Sequence, residues 1–237
     1  MTGKFYGIGV GPGDPELVTL KAQKILSRVD ILCVPKSRME KESLAMSVVT
    51  AVADREHNLL ELEFPMSMDR EVLEQSWHNA GRQVAAKLIA GLDVAFITIG
   101  DPTLYSTFGY LLRFIKDNYP QVPVEIVPGV SSITACPAAL LEPLVEGDEK
   151  LAVIPAAYNL DDLKNIIDVF DTVVLMKVNR RLPELMQFLK QYDHVNTFFV
   201  SRCGYPDQFT TAKPETVLEQ ELHYMSLLVV KRKGDTL

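Results

Sequence analysis

Two rhythms alternate along the chain: short apolar runs, and longer stretches in which apolar residues return every three or four positions. The first belongs to buried strands and the second to amphipathic helices. Lys4 to Val10 predicts a strand running into Gly11-Pro12-Gly13, after which Val18, Ala22, Ile25 and Val29 stripe a helix. Ile31 to Val34 suits a buried parallel strand and ends in the loop Pro35-Lys36-Ser37-Arg38, with its two cations. Ser43 to Ala53 predicts a helix, Leu59 to Phe64 a strand, and Pro65-Met66-Ser67-Met68 a break. Leu73, Trp77, Ala80, Val84 and Leu88 mark the clearest helix, with Asp69 placed to cap it and Gly91 to stop it. Further strands are predicted at Val94 to Thr98, Val122 to Val127, Leu151 to Ile154, Thr172 to Met176, Thr197 to Val200 and Leu227 to Val230. Helices are predicted around Leu111 to Ile115, Ala135 to Ala139 and Leu182 to Leu189.

Strand and helix in alternation imply an α/β fold. Past Ser201 the segments become shorter and more polar, with turn residues Gly204, Pro206 and Pro214, so the second half should hold a mixed sheet with hairpin character. Two α/β domains are expected, 1–120 and 121–237, joined near Tyr119 to Val122 and with ligands in the cleft between them.

Composition narrows the class. At 47% hydrophobic and 23% charged residues, the 237-residue chain is an ordinary globular protein, and no apolar run approaches the roughly 20 residues of a membrane span. Met1-Thr2-Gly3-Lys4 enters a strand without the features of a signal peptide, so a cytoplasmic protein with no membrane partner is expected. A net charge of −7 and the lack of any Lys/Arg block argue against a nucleic-acid partner. Cys33, Cys136 and Cys203 are widely separated and read as reduced thiols. The four histidines show no metal-ligand spacing with them, so no protein metal site is expected.

Candidate chemistry gathers in loops after strands. Gly100-Asp101-Pro102 follows the strand 94–98: the glycine lets backbone approach a ligand, the carboxylate sits at a strand's carboxyl end, and the proline stiffens the turn. The same triplet recurs as Gly13-Asp14-Pro15, where a tight strand-to-helix connection explains it as well as a ligand does. A dinucleotide reading of the glycine loop fails, because Pro12 or Asp14 falls where the third glycine belongs and a carboxylate there repels a pyrophosphate. A Walker loop fails too, since no Gly-Lys-Ser/Thr follows. Pro128-Gly129-Val130-Ser131-Ser132 is a third such loop, in which either serine can cap the helix behind it.

These three loops, in this order, resemble the tetrapyrrole methylases, which include the uroporphyrinogen III and precorrin methyltransferases and diphthine synthase. The resemblance covers essentially the whole chain. Tyr105-Ser106-Thr107 after Gly-Asp-Pro, Ser131-Ser132 after Pro-Gly-Val, and Phe64-Pro65-Met66 ahead of Trp77 are similar to the branch that methylates carbon 20 of precorrin-2 or cobalt-factor II in cobalamin synthesis. It implies an S-adenosylmethionine-dependent methyltransferase, releasing S-adenosylhomocysteine, with the cofactor in the cleft between two α/β domains of a homodimer. Alternatives are another precorrin or uroporphyrinogen III methyltransferase, or a non-catalytic tetrapyrrole carrier or sensor.

Cofactor contacts implied by the resemblance are Pro12, Gly100, Asp101, Leu104, Tyr105, Ser131, Ser132, Met176, Cys203, Gly204 and Met225. Asp101 is a candidate to face the cofactor's cationic end. Taken without the family, Met176 reads as a core methionine on a buried strand, and Tyr105 equally as helix-start packing. Cys203 stands where some relatives have glycine. For a polycarboxylate substrate, Lys36, Arg38 and Arg202 are the candidate ligands, with Lys177 and Arg180 as further cations at strand ends; a solvated surface charge is the better reading of any one of them, and at least one of the group is expected to bind. Met66 and Met68 are candidates for an apolar lid, for which local core filling is an equal reading. No residue identifies itself as a catalytic base.

Overall fold

The computed structural model describes residues 1–36, 44–65, 67, 69–155 and 159–233. The chain divides into two compact units, Met1–Ser131 and Ser132–Leu237. The first contains β1 (Phe5–Gly9), α1 (Leu20–Leu26), β2 (Ile31–Lys36), α2 (Leu44–Val52), β3 (Asn58–Glu63), α3 (Arg70–Ile89), β4 (Val94–Thr98), α4 (Phe108–Asn118) and β5 (Val124–Val127). Its five strands are all parallel, in the order β3-β2-β4-β1-β5.

Burial on both faces explains why β1, β2 and β4 read as continuous apolar runs, while β3 at the sheet edge alternates apolar and polar residues. The pleat sends Tyr6, Ile8, Ala95 and Ile97 toward Ala22, Ile25, Val48 and Val49 of α1 and α2. Phe5, Val94 and Phe96 point the other way, toward Val84, Leu88, Leu111 and Ile115 of α3 and α4. Cys33 shares that second core, where burial pushes its thiol up to about 12 and leaves it unreactive. Asp69 caps α3, its Oδ1 accepting from Glu71 N at 2.9 Å and Val72 N at 3.5 Å, a contact worth about 1 kcal/mol. Trp77 of α3 stacks on Tyr110 of α4 with ring centroids 3.6 Å apart and planes at 7°.

The joint expected at 120/121 falls elsewhere. Tyr119-Pro120 is the ordinary turn from α4 into β5, closed by Val122 N donating to Tyr119 O at 2.9 Å. β5 then pairs with β1, Phe5 opposite Val124 and Ile8 opposite Val127, so the first unit continues to Ser131.

The second unit contains α5 (Ser132–Leu140), β6 (Leu151–Ile154), α6 (Leu160–Val169), β7 (Thr172–Met176), α7 (Leu182–Leu189), β8 (Val195–Ser201), β9 (Phe209–Thr211) and β10 (Ser226–Arg232). Strand order is β6-β7-β10-β8-β9, with β6 parallel to β7 and the remaining pairs antiparallel, the mixed sheet that the pattern predicts. α5 covers one face through Ile133 and Cys136, packed with Val174, Val200, Leu227 and Val229. Leu163, Ile167, Leu182 and Leu185 of α6 and α7 cover the other. The hydrophobic pattern as read above does not single out α6. Its signal lies in Asn159, whose side chain accepts from Asp161 N at 3.1 Å, followed by two acidic residues and then Leu163 and Ile167 one turn apart.

One surface cluster ties the edge of the first sheet. Glu125 on β5 accepts from Lys4 Nζ at 2.5 Å and also pairs with Lys21, and those two ammonium groups hold its carboxyl down to about 2. A carboxyl lowered on folding stabilises the protein above its unfolded value of about 4.3, and that contribution is lost as pH falls toward 2. Because all three side chains are partly exposed, Glu125→Gln is expected to cost at most about 1 kcal/mol at neutral pH and to flatten the acid limb between those two values, measured by urea unfolding at stepped pH.

Candidate functional site

β1 and β4 are neighbours whose outgoing connections diverge, from β1 to β2 on one side and from β4 to β5 on the other. Such a switch point leaves a crevice outside the strands' carboxyl ends, where ligands of open α/β sheets bind. The three sequence motifs all end there. Gly100 N donates to Gly11 O at 2.7 Å, joining the loop after β4 to the loop after β1. Gly129 N donates to Asp101 Oδ2 at 3.0 Å, joining the loop after β5 to the loop after β4.

Close backbone approach sets the shape of the crevice. A Cβ on Gly9 would lie 2.5 Å from Gly100 O and 2.7 Å from Gly129 N. A Cβ on Gly129 would overlap Gly100 O and lie 2.8 Å from Gly9 Cα. With Gly100 itself at φ 72°, the three glycines form a cradle of bare main chain.

Asp101 is the fastener of this cradle. Its Oδ1 accepts from Thr103 N at 2.7 Å and Thr103 Oγ1 at 2.5 Å, while Oδ2 takes Gly129 N. Burial raises the carboxyl, but the bonds from Thr103 Oγ1, Thr103 N and Gly129 N together outweigh it and hold the group below the usual carboxylate range. The charge is thus directed at the protein's own loops. Beyond it, Ser106 Oγ donates to Thr98 Oγ1 at 3.2 Å and accepts from Phe108 N at 3.2 Å, fixing the start of α4. Leu104 and Tyr105 are exposed, and Tyr105 holds a left-handed φ of 50°, a strained conformation for a residue with a side chain. Pro12 is buried in the first loop, and Ser131 Cα lies 4.0 Å from where a Gly100 Cβ would stand. Pro12, Gly100, Asp101, Leu104, Tyr105 and Ser131 therefore belong to one set of tied loops.

Most of the remaining candidates lie where β7 and β8 end and β10 begins. Lys177 and Arg202 directly follow β7 and β8, with φ of 57° and 51°, and Gly204 has φ 81°. Lys177 N donates to Ser226 O at 2.7 Å and Arg202 N to Met225 O at 2.9 Å, so both strand ends turn against the start of β10. Met176 packs half-buried beside the α5 core. Cys203 is buried in that core, where the Cys136 thiol of α5 bonds to its sulfur. That bond, together with burial, raises the Cys136 thiol, and it lowers the Cys203 thiol against the opposing effect of burial. Ser132 opens α5, and Lys177 and Arg180 are exposed cations. Arg202 is paired with Asp207, Nε to Oδ1 at 2.7 Å, and its guanidinium lies 4.6 Å from the centre of the Tyr205 ring. Lys36 ends β2, but its side chain, together with Arg38, Met66 and Met68, lies outside the described residues.

Gly9 and Thr103 also belong to these tied loops, although neither is among the contacts that the motifs single out. Thr103 had a legible signal, the Asp-x-Thr spacing of a side-chain turn. Gly9 had only its place at a strand's end beside other glycines.

The chain belongs to the tetrapyrrole methylase family, described as Tetrapyrrole (Corrin/Porphyrin) Methylases, which matches residues 4–218. Within it the chain is 43% identical over 231 residues to the "Probable cobalt-precorrin-2 C(20)-methyltransferase" of Methanocaldococcus jannaschii, covering 97% of this chain and 96% of that one. It is 37% identical over 191 residues to the cobalt-precorrin-2 C(20)-methyltransferase of Salmonella typhimurium, covering 81% and 79%. To the precorrin-2 C(20)-methyltransferase of a Sinorhizobium species it is 29% identical over 237 residues, covering 96% and 95%. The fold matches the crystal structure of uroporphyrin-III C-methyltransferase from Thermus thermophilus complexed with S-adenyl homocysteine, with TM-score 0.67, 23% identity and 97% of each chain covered.

Proposed function

We propose that this protein transfers a methyl group from S-adenosylmethionine to carbon 20 of a precorrin-2-type macrocycle, a step in building the corrin ring. The observation that carries the reading is near-full-length similarity to relatives named for that reaction, 43% identity over 97% of the chain in the first of them. The two relatives of higher identity are named for the cobalt-bearing substrate and the one of lower identity for the metal-free form, which favours the cobalt form here.

The cradle fits the cofactor. Main chain stripped of Cβ atoms at Gly9, Gly100 and Gly129 lets an amino-acid or nucleoside moiety approach strand ends that side chains would otherwise block. When bound, the cofactor supplies a methyl group on a sulfonium leaving group, and the macrocycle supplies the electrons. What the chain's own residues supply is placement. Asp101 holds the β4 and β5 loops together, Thr98 and Ser106 fix the approach to α4, and exposed Leu104 offers an apolar contact. Alignment of two reactants in this way contributes up to about 7–11 kcal/mol in well-ordered systems. Pro12, Tyr105, Ser131, Ser132, Met176, Cys203, Gly204 and Met225 complete the proposed cofactor contacts, and Lys36, Arg38 and Arg202 the proposed substrate contacts. A cytoplasmic homodimer with no nucleic-acid partner agrees with the family resemblance and the net charge of −7.

Anaerobic incubation with methyl-labelled S-adenosylmethionine and, in parallel, precorrin-2 and cobalt-factor II tests the reading by mass spectrometry. One added methyl at carbon 20, formed faster on the cobalt substrate, is the expected result. Transfer to neither, with S-adenosylhomocysteine still bound, would move the substrate elsewhere in the family.

A further inference from the structure

Tyr105 holds a strained backbone without burying its side chain. Its φ of 50° lies in the left-handed region, and the residue is 53% exposed. That conformation crowds the Cβ of every residue except glycine, and it persists at functional sites where the side chain placed there is put to use. Glycine is the residue that would relax this turn. Burial of the ring does not offset the strain, because half of the residue lies open to solvent.

The chain on either side leaves the turn little freedom. Before it, Asp101 Oδ1 accepts from Thr103 N at 2.7 Å and Thr103 Oγ1 at 2.5 Å, and Leu104 N donates to Asp101 O at 3.2 Å. After it, Ser106 Oγ joins Thr98 Oγ1 to Phe108 N, each at 3.2 Å. Leu104 and Tyr105 are thus an exposed apolar tip between two anchors, just beyond the carboxyl end of β4. Asp101 also fastens the glycine cradle through Gly129 N, so the tip stands at the rim of the crevice. Single exposed apolar residues are ordinary, whereas an adjacent pair held out by a tied and strained loop marks a contact surface.

We propose that the Tyr105 ring recognises the substrate by packing against the flat face of the tetrapyrrole at the rim of the crevice. The assignment rests on the function proposed above, which supplies a large planar ligand for an aromatic face to meet. The main chain of the same loop stays with the cofactor. The cofactor's adenine is the other flat surface available. The macrocycle is favoured because the cradle of bare main chain at Gly9, Gly100 and Gly129 already admits the smaller ligand, and a rim residue is what the larger one meets.

Tyr105→Asn is the decisive variant, because asparagine accepts a left-handed backbone and carries no ring. Tyr105→Phe keeps both the ring and the strain. Calorimetry on the full chain, with cobalt-factor II and S-adenosylhomocysteine titrated separately under anaerobic conditions, is read beside steady-state kinetics and a thermal melt. The asparagine variant should bind the macrocycle about tenfold more weakly and raise its KM alike, while S-adenosylhomocysteine affinity falls less than about twofold. It should melt no lower than the phenylalanine variant, in which the strain persists. The phenylalanine variant should hold the macrocycle within about threefold of the parent. A loss as large in the phenylalanine variant would move recognition from the ring to the hydroxyl and overturn the proposal. A loss confined to S-adenosylhomocysteine overturns it by placing the ring on the adenosyl group. Equal loss of both ligands with a lower melting temperature overturns it by making the ring a structural support. Unchanged macrocycle affinity in the asparagine variant overturns it while leaving the proposed methyl transfer standing. If the parent chain binds no tetrapyrrole, the function proposed above fails and this assignment fails with it. Tyr105→Gly, which also relaxes the turn, replaces the asparagine variant if that variant does not fold.

Discussion

Alanine at position 129 is expected to abolish methyl transfer while both sheets stay folded. The added Cβ would overlap Gly100 O and press on Gly9 Cα at 2.8 Å, and each of these is main chain rather than the end of a flexible side chain. Gly9 is the last residue of β1, paired with Thr98 of β4, and the strand leading to it is held by β5 as far as Ile8, so the strain must open the loops after β4 and β5 instead. Overpacking of this kind costs about 1–3 kcal/mol. A displacement of about 1 Å at a reacting centre costs roughly a hundredfold in rate, so kcat/KM should fall at least that far and S-adenosylhomocysteine binding should weaken with it. Gly109→Ala is the matched control. Nothing lies within 4 Å of a Cβ at that helical position, and the change should be neutral or slightly stabilising. Full affinity in the Gly129 variant, measured by calorimetry beside a thermal melt, would mean that the cradle is not the cofactor site.

Asp101→Ala removes the fastener without adding bulk. Gly129 N and Thr103 N lose a charged acceptor, and hydrogen bonds to charged groups contribute about 1.5–3 kcal/mol each. The expected result is a tenfold to hundredfold weaker binding of S-adenosylhomocysteine and a melting temperature lower by a few degrees, with a normal far-ultraviolet spectrum. Asp101→Asn keeps an oxygen for one of the two loops and should fall between the variant and the parent. Since the parent carboxyl lies below its ordinary value, its contribution is complete above about pH 4 and fades only in stronger acid, so the difference between parent and alanine variant should be constant across neutral pH. An Asp101→Ala protein that binds as tightly as the parent would remove the residue from the site.

Most of the fold was legible because local signals agreed with one another. Asp69 and Gly91 bracket α3 as expected, and the apolar runs at β1, β2, β4 and β7 read as strands buried on both faces. The joint between the units was misplaced because Tyr119-Pro120 has the same local chemistry whether it links domains or turns a helix into the next strand. Only the pairing of β5 with β1, across more than a hundred residues, distinguishes the two. The site shows the same division. Gly-Asp-Pro announced a functional loop, but the partner of Asp101 is Gly129, a contact made by sheet order and invisible to spacing. The sequence suggested a carboxylate facing a ligand's positive charge, whereas in the structure it faces its own backbone.

β10 runs between β7 and β8 and is antiparallel to both, so the middle strand of the second sheet is its last in sequence. During synthesis the first sheet has all five of its strands once Val127 has left the ribosome, and that unit can fold while translation continues. The second cannot. Leu227, Leu228, Val229 and Val230 must arrive before β7 and β8 acquire their shared neighbour and before either of its cores can close. Until then the edges of β7 and β8 that β10 will cover stay unpaired, so the late nascent chain carries exposed apolar strand edges, the kind of surface on which partly folded chains associate.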